Sequence, residues 1–318
     1  MDIVTCSDNR YILPTGVMMY SLCKNNPDTD IVFHVIVDDS VSPEQKADLE
    51  ENIQAFSNSK ICFYTVDETA LSAFPSLNNR ADITKATYYR LLLTEILPDT
   101  VQKVLYLDGD IIVRKSLTLL WNVDLTGYAL AAVTDSMSGK IEYYNRLKYP
   151  AERGYFNAGV LLINLDYWRQ HAVLSTFNDF IEKRADDIVA HDQDVLNCVF
   201  CDQKLTLPIK YDLVSGYIWK KREFDYWKVE QELLEALKDP VIVHFAAKDK
   251  PWNSYQRKPH PFSSTWNLYQ DQTKWRGVKT DYRPWKLRLI NGIADALRIL
   301  RIIPQYSEYH YMEIAPID

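Results

Sequence analysis

Two aspartates one residue apart, Asp108 and Asp110 with Gly109 between them, interrupt the apolar run from Lys103 to Val113. The run is too uniformly hydrophobic to be one face of an exposed sheet, so it reads as a buried parallel strand. Burying two neighbouring carboxylates costs several kcal/mol unless something neutralises them. The carboxyl ends of strands are where ligands sit in open α/β sheets. A divalent cation is the natural neutraliser, and one held by only two carboxylates keeps positions open for phosphate oxygens and water. The chemistry expected here is a metal–diphosphate site. A strand-end turn with both acids in water is the plainer alternative, and the apolar residues on either side weigh against it.

Such a pair must be positioned by a sheet. Strand-like segments recur at residues 2–6, 31–37, 60–65, 103–107, 129–133, 160–165 and 241–245, with helical patterns between several of them. Helices are expected from Pro14 to Cys23, from an N-cap at Ser42 with Pro43 at the first position to about Phe56, from Thr84 to Leu97, and over 173–184 and 192–202. This alternation predicts a doubly wound α/β sheet. There is no internal repeat and no low-complexity tract.

Composition sets the class. A chain of 318 residues, 47% hydrophobic and 13% aromatic, can hold one large α/β domain with an appendage. The net charge of −7 argues against nucleic acid as a partner. Of five cysteines, Cys6, Cys23, Cys62, Cys198 and Cys201, several lie in apolar runs and read as small core residues of a reducing compartment. Cys198 and Cys201 have CxxC spacing but no second pair, so structural thiols are expected there as well. The chain opens on a strand-like segment without a leader pattern, and no apolar stretch reaches transmembrane length. The expected place is the cytoplasm, or the cytoplasmic face of the inner membrane.

After Trp252 the chain turns rich in Trp, Tyr, Arg, Lys and Pro. On a helical wheel for residues 285–303, Trp285, Leu289, Ile293, Ala296, Leu297, Leu300 and Ile303 share one face, and Arg288, Asp295, Arg298 and Arg301 the other. Lys286 is the exception. Two readings fit: a helix packed on the domain, or one lying on an anionic membrane surface.

Several segments in matching order resemble the retaining glycosyltransferases of family 8, especially bacterial enzymes that add hexoses to lipopolysaccharide or lipooligosaccharide. They are Ile3 to Asp8 followed by Tyr11, Thr87 to Leu91, Leu105 to Asp110, Phe156 to Leu165, His191 to Asn197, and His244 to Trp252. The resemblance implies a GT-A-type, Rossmann-like doubly wound mixed sheet over residues 1–255, with 256–318 a mostly helical appendage. It implies a UDP-sugar donor, UDP-galactose or UDP-glucose, and a saccharide or lipid-linked saccharide acceptor. Asp108, Asp110 and His244 become an O,O,N ligand set for Mn²⁺ or Mg²⁺. Asp8, Tyr11, Ile83, Arg90, Gly109 and Lys250 fall at donor-binding positions. Asp135, Asn157, Asp192 and Gln193 fall where the family lines its sugar pocket, with Gln193 nearest the anomeric carbon. Asp192 could instead be only a helix N-cap. The Tyr- and Trp-rich segments 137–155, 215–227 and 252–275 are candidates for stacking on the acceptor. Three positions depart from the family: Arg10 in place of Asn at the ribose, Asp82 in place of His near the donor, and Ala247 in place of Gly at the diphosphate.

A haloacid-dehalogenase-type phosphatase also uses an apolar strand ending in Asp-x-Asp. It wants Thr or Val where Ile112 stands, and its motif near the N-terminus. A non-catalytic UDP-sugar-binding protein would be favoured by a missing metal ligand, and none is missing.

Overall fold

The computed structural model describes residues 1–66, 85–218, 230–247, 249–254, 256, 259–280 and 285–303. The strands are β1 (Asp2–Ser7), β2 (Ile31–Val37), β3 (Ser59–Thr65), β4 (Lys103–Leu107), β5 (Ile111–Val113), β6 (Leu130–Thr134), β7 (Phe156–Asn164), β8 (Lys204–Leu207), β9 (Leu213–Val214) and β10 (Ile242–His244). Seven of them form a sheet in the order β3-β2-β1-β4-β7-β6-β8. The β3–β2–β1–β4 side is parallel, and β7 runs antiparallel to both β4 and β6. The sheet is therefore mixed, as expected.

Alternation along β4 shows why both faces must be covered. Leu105 and Leu107 enter the core beneath the helices Ile12–Asn25 and Pro43–Ile53. Val104 and Tyr106 enter a second core with Phe177, Val195 and Leu196 from the helices Val173–Arg184 and His191–Val199. A strand buried on both faces has no need of a polar face, which accounts for its continuous apolar run. The Pro43–Ile53 helix starts with the capping box Ser42/Gln45.

The run read as one strand is two. β4 is parallel to β1 but antiparallel to β7, and it stops at Leu107. After Asp108-Gly109-Asp110 the chain leaves the sheet, and β5 joins a second one in the order β5-β10-β9. Gly109 makes this turn feasible, because a Cβ there would lie 2.6 Å from Thr15 Oγ1.

The helix expected from Thr84 to Leu97 is, over its described part, a 3₁₀ stretch Lys85–Leu92 ending in one α turn, Leu93–Ile96. In a 3₁₀ turn side chains three apart eclipse one another, so Thr87 and Arg90 face the same neighbour.

Aromatics of the 252–275 segment pack inward. Trp266 is fully buried, its ring 4.7 Å from Trp252 and 5.3 Å from Phe245. Trp275 lies over Gly16, where a Cβ would come within 2.1 Å of the indole. Lys274 ties this segment to Asp48 and Glu51, each at 2.6 Å. Trp252 and Trp266 are thus core residues, not acceptor contacts. The helix Trp285–Ile299 follows, and among the described residues no helix is long and apolar enough to cross a membrane.

Candidate active site

Asp108 follows β4, Asp110 precedes β5, and His244 closes β10, which pairs antiparallel with β5 so that His244 faces Ile111. The chain thus delivers the three side chains from strand ends locked by backbone pairing: Asp108 N–H donates to Gly159 O and Phe245 N–H to Asp110 O, both at 2.9 Å. His244 Nε2 is 3.3 Å from Asp110 Oδ1 and 3.8 Å from Asp108 Oδ2. Ligand atoms of all three lie within 4.8 Å of one another, a group that could hold a metal ion. Each is braced from behind. Asp108 Oδ1 accepts from Arg90 Nη2 and from the Tyr106 hydroxyl, both at 2.9 Å. Asp110 Oδ2 accepts from Lys250. His244 Nδ1 meets Asp212 Oδ1 at 3.0 Å.

Space is reserved as well. A Cβ on Gly159 would lie 2.2 Å from His244 Cε1 and 2.9 Å from Asp108 Oδ2. The donor set, two carboxylates and an imidazole around a cradle only glycine leaves open, fits a divalent cation. Burial opposes charge on His244, but the Asp212 and Asp110 carboxylates outweigh it and hold its pKa well above the ordinary value. Burial likewise opposes charge on Asp110, and Lys250 and His244 outweigh it, lowering the carboxyl pKa.

Next to this cluster Lys250 Nζ also donates to Phe245 O at 2.7 Å. Asp8, just past β1, uses Oδ1 to accept the N–H groups of Arg10 (2.9 Å) and Tyr11 (3.1 Å), and its Oδ2 lies 3.3 Å from the Arg10 guanidinium. That turn aims Tyr11 edge-on at Trp252, ring centroids 6.1 Å apart. Ile83 and Asp82 lie outside the described residues.

Opposite the carboxylates, a row of polar groups is already hydrogen-bonded to itself. Asp135, just after β6, accepts from Met137 N–H (2.8 Å), Asn157 Nδ2 (2.9 Å) and Gln193 Nε2 (3.4 Å). Gln193 Oε1 accepts from Ala158 N–H at 3.0 Å, and Asn157 Oδ1 from Gly159 N–H at 2.8 Å. Asp192 is inside the helix His191–Val199 and does not cap it. Its Oδ1 accepts from Thr87, and its Oδ2 lies 3.0 Å from Arg90 Nε. Burial dominates there, only partly offset by Arg90 and Thr87, and pushes the Asp192 carboxyl up to about 6. Arg90 stacks on Tyr106, 4.2 Å from the ring centre, and so joins Asp108 to Asp192.

The resemblance left several supports unassigned. Fully buried Asp194 takes a bidentate pair from Arg146 (2.7 and 3.1 Å), the Tyr155 hydroxyl (2.7 Å) and two backbone N–H groups, which fixes the start of the helix bearing Asp192 and Gln193. Asn197 holds that helix to β7 by exchanging two hydrogen bonds with the Phe156 backbone, at 2.8 and 2.9 Å. The helical spacing of 192, 193, 194 and 197 carried the signal: two neighbours face the cleft and the others face its scaffold. Asp212 and Gly159 were also unassigned. The five cysteines are free.

With this geometry in hand, known proteins can be compared. The pattern of glycosyl transferase family 8 matches residues 2–256. General stress protein A of Bacillus subtilis is 30% identical over 281 residues, 87% of this chain and 96% of that protein. Lipopolysaccharide 1,3-galactosyltransferase of Salmonella typhimurium is 27% identical, the match covering 79% of this chain and 73% of that one. Among solved structures, the galactosyltransferase LgtC in complex with donor and acceptor sugar analogues superimposes with a TM-score of 0.76 at 29% identity, over 91% of this chain and 99% of that chain.

Proposed function

We propose, since this chain belongs to glycosyl transferase family 8, that it moves galactose or glucose from a UDP-sugar to a saccharide or lipid-linked saccharide of the cell envelope, with retention at the anomeric carbon. Its class, a hexosyltransferase of the GT-A fold, follows from the family and from the fold shared with LgtC. That membership also sets aside the phosphatase reading. The observation that carries the proposal is the convergence of Asp108, Asp110 and His244 beside the polar row of Asp135, Asn157, Asp192 and Gln193.

Asp108, Asp110 and His244 would hold Mn²⁺ or Mg²⁺, whose chemistry when bound is to stabilise the charge of a departing diphosphate. Lys250 adds an ammonium on the same side as a point charge. Asp8, Tyr11 and Ile83 take the uridine, with Gly109 leaving room beside them. Asp135, Asn157 and Asp192 take the sugar hydroxyls, and Arg90 braces sugar and phosphate together.

Gln193 lies at the reacting face, but a neutral amide whose oxygen already accepts from Ala158 N–H is a poor nucleophile. We therefore favour front-face displacement. The acceptor oxygen bonds to the anomeric carbon from the leaving-group side while the bond from that carbon to the diphosphate oxygen breaks. The hydroxyl proton passes to a phosphate oxygen of the departing UDP.

Residues 1–255 are the proposed catalytic unit, completed by the segment 259–280 that fills its core with Trp266 and Trp275. Residues 285–303 are the proposed attachment to an anionic membrane surface, on the cytoplasmic face. The direct test is a UDP-hexose screen with Mn²⁺. UDP release from UDP-galactose or UDP-glucose, stopped by EDTA, is expected, with an α-linked product by proton NMR. Release indifferent to EDTA, or a β-linked product from the first turnover, sinks the reading.

A further inference from the structure

We propose that Asp212 is the positioning residue of the metal site: its hydrogen bond to Nδ1 fixes the ring and tautomer of His244 so that Nε2 is offered to the cation. This rests on reading Asp108, Asp110 and His244 as ligands.

Asp212 is fully buried between the 3₁₀ turn Ile209–Tyr211 and β9. β9 runs parallel to β10 with Leu213 opposite Val243 and Val214 opposite His244. The backbone ladder therefore sets the distance from Asp212 to the imidazole, and Oδ1 stands 3.0 Å from Nδ1. As a carboxylate Asp212 is acceptor only, so Nδ1 must carry a proton, and Nε2 is the ring nitrogen that can give up its proton to bind the cation. Nε2 is the ring nitrogen that faces Asp110 and Asp108. The other oxygen, Oδ2, is buried with no hydrogen-bond partner among the described residues. A buried acid with one oxygen left unpaired stabilises little for its cost, so its one bond, to His244, is the interaction that accounts for it. Gly159 leaves the ring room beside this bond: a Cβ there would lie 2.2 Å from His244 Cε1 and 2.8 Å from Nδ1. Carboxylate, imidazole and metal in a line is a general way to orient a ligand and raise its basicity.

Asp212→Asn keeps the shape and removes the obligate acceptor. The amide either donates to Nδ1, which puts the proton on Nε2, or accepts without charge. Mn²⁺ binding to the full chain, followed by the free-ion EPR signal at saturating UDP, should weaken about 10–100-fold. On a His244→Asn background the same change should add nothing, which a merely structural role would not produce. An equal loss on both backgrounds, or wild-type affinity in Asp212→Asn, overturns the proposal. Failure of the wild-type chain to bind Mn²⁺ at all is a separate outcome and overturns the ligand reading beneath it. If Asp212→Asn does not fold, the wild-type chain still decides. With Mg²⁺ and UDP bound, the nitrogen-15 spectrum of His244, assigned by its loss in His244→Asn, should show a proton on Nδ1, and a bare Nδ1 overturns the assignment.

Discussion

The two sides of the cleft are made from different materials. Around β4, β5 and β10 the site is charge on charge: Asp108 against Arg90, Asp110 against Lys250, and His244 between Asp110 and Asp212. Around the helix His191–Val199 it is mostly amide and carboxylate hydrogen bonds that close on one another, Asp135 to Asn157 and Gln193, and Gln193 back to Ala158. A charged cluster is held for what it will bind, and removing one member leaves the others uncompensated. A closed hydrogen-bond row is pre-organised, and each group in it has a second partner, so one substitution leaves part of the row in place. Substitutions should therefore be severe on the first side and graded on the second.

The sharpest way to break that contrast is Asp108→Asn or Asp110→Asn. Each should abolish UDP-sugar hydrolysis, by at least about 10³-fold, since a carboxylate ligand becomes a neutral amide. The chain should still fold, at a cost in stability, because Arg90 or Lys250 loses its carboxylate partner. Turnover near wild type at saturating Mn²⁺ would falsify the metal assignment.

Gly159→Ala comes next, and it adds atoms without touching a charge. Its methyl would intrude on His244 Cε1 at 2.2 Å and Asp108 Oδ2 at 2.9 Å, so ligand positions must shift. Overpacking of this kind costs about 1–3 kcal/mol of stability, and Mn²⁺ affinity should fall roughly tenfold or more. Isothermal titration against Mn²⁺ with UDP present measures the second effect. Unchanged affinity would mean that the cradle is roomier than these distances allow.

How far could this contrast be read before the fold was known? The charged side was readable where an acid breaks an apolar run, because Asp108 and Asp110 stand out against Leu105, Leu107, Ile111 and Ile112. His244 needed the family resemblance, since a His at a strand end is ordinary. Asp212 was silent: Tyr211-Asp212-Leu213-Val214 contains no spacing that marks it, and only the parallel pairing of β9 with β10 brings it to His244. β5, β8 and β9, of three, four and two residues, are too short for an alternation pattern to declare itself. The 3₁₀ stretch Lys85–Leu92 read as α-helix because a three-residue repeat is hard to tell from 3.6 over so few turns. Trp252 and Trp266 looked like sugar-stacking surfaces because composition says nothing about which way a ring faces.

On the hydrogen-bonded side Asp192 gives a pH signature. Its carboxyl titrates near 6 in the folded chain and near 3.9 when unfolded. Between those values the folded state binds the extra proton, so this group's contribution to stability is full below about pH 4 and lost as pH rises through 6. Asp192→Asn lacks that dependence. The stability difference should therefore move in the variant's favour by roughly 2–3 kcal/mol between pH 4 and 7, then stay level. Urea unfolding of both proteins at several pH values reads it, and a constant difference would show that Arg90 and Thr87 compensate the burial completely.

The smallest effect on catalysis should come from the C-terminal helix, which supplies no residue to either side. In and just after the helix Trp285–Ile299 several apolar side chains are exposed: Trp285 by 68% and Ile299 by 82%, with Leu289, Ile290, Ile293 and Leu300 also exposed. Arg298, counted on the basic face, is instead tucked in, its side chain 17% exposed and 3.5 Å from Asp295. Arg288 has no described side chain. Among the described residues Lys286 and Arg301 are the exposed cations of this segment. Each basic residue near an anionic surface is worth about 1 kcal/mol and is screened by salt, whereas the apolar area is not. Removing residues 282–318 should leave UDP-sugar hydrolysis within about twofold, because the described residues 285–303 contribute nothing to the two cores that position the cleft. It should also release the protein from anionic vesicles. The full chain should co-sediment with such vesicles at low salt and lose part of that binding, not all of it, at high salt. If it fails to sediment at low salt, or if truncation collapses soluble expression, the apolar face is covered by protein and the helix belongs to the fold.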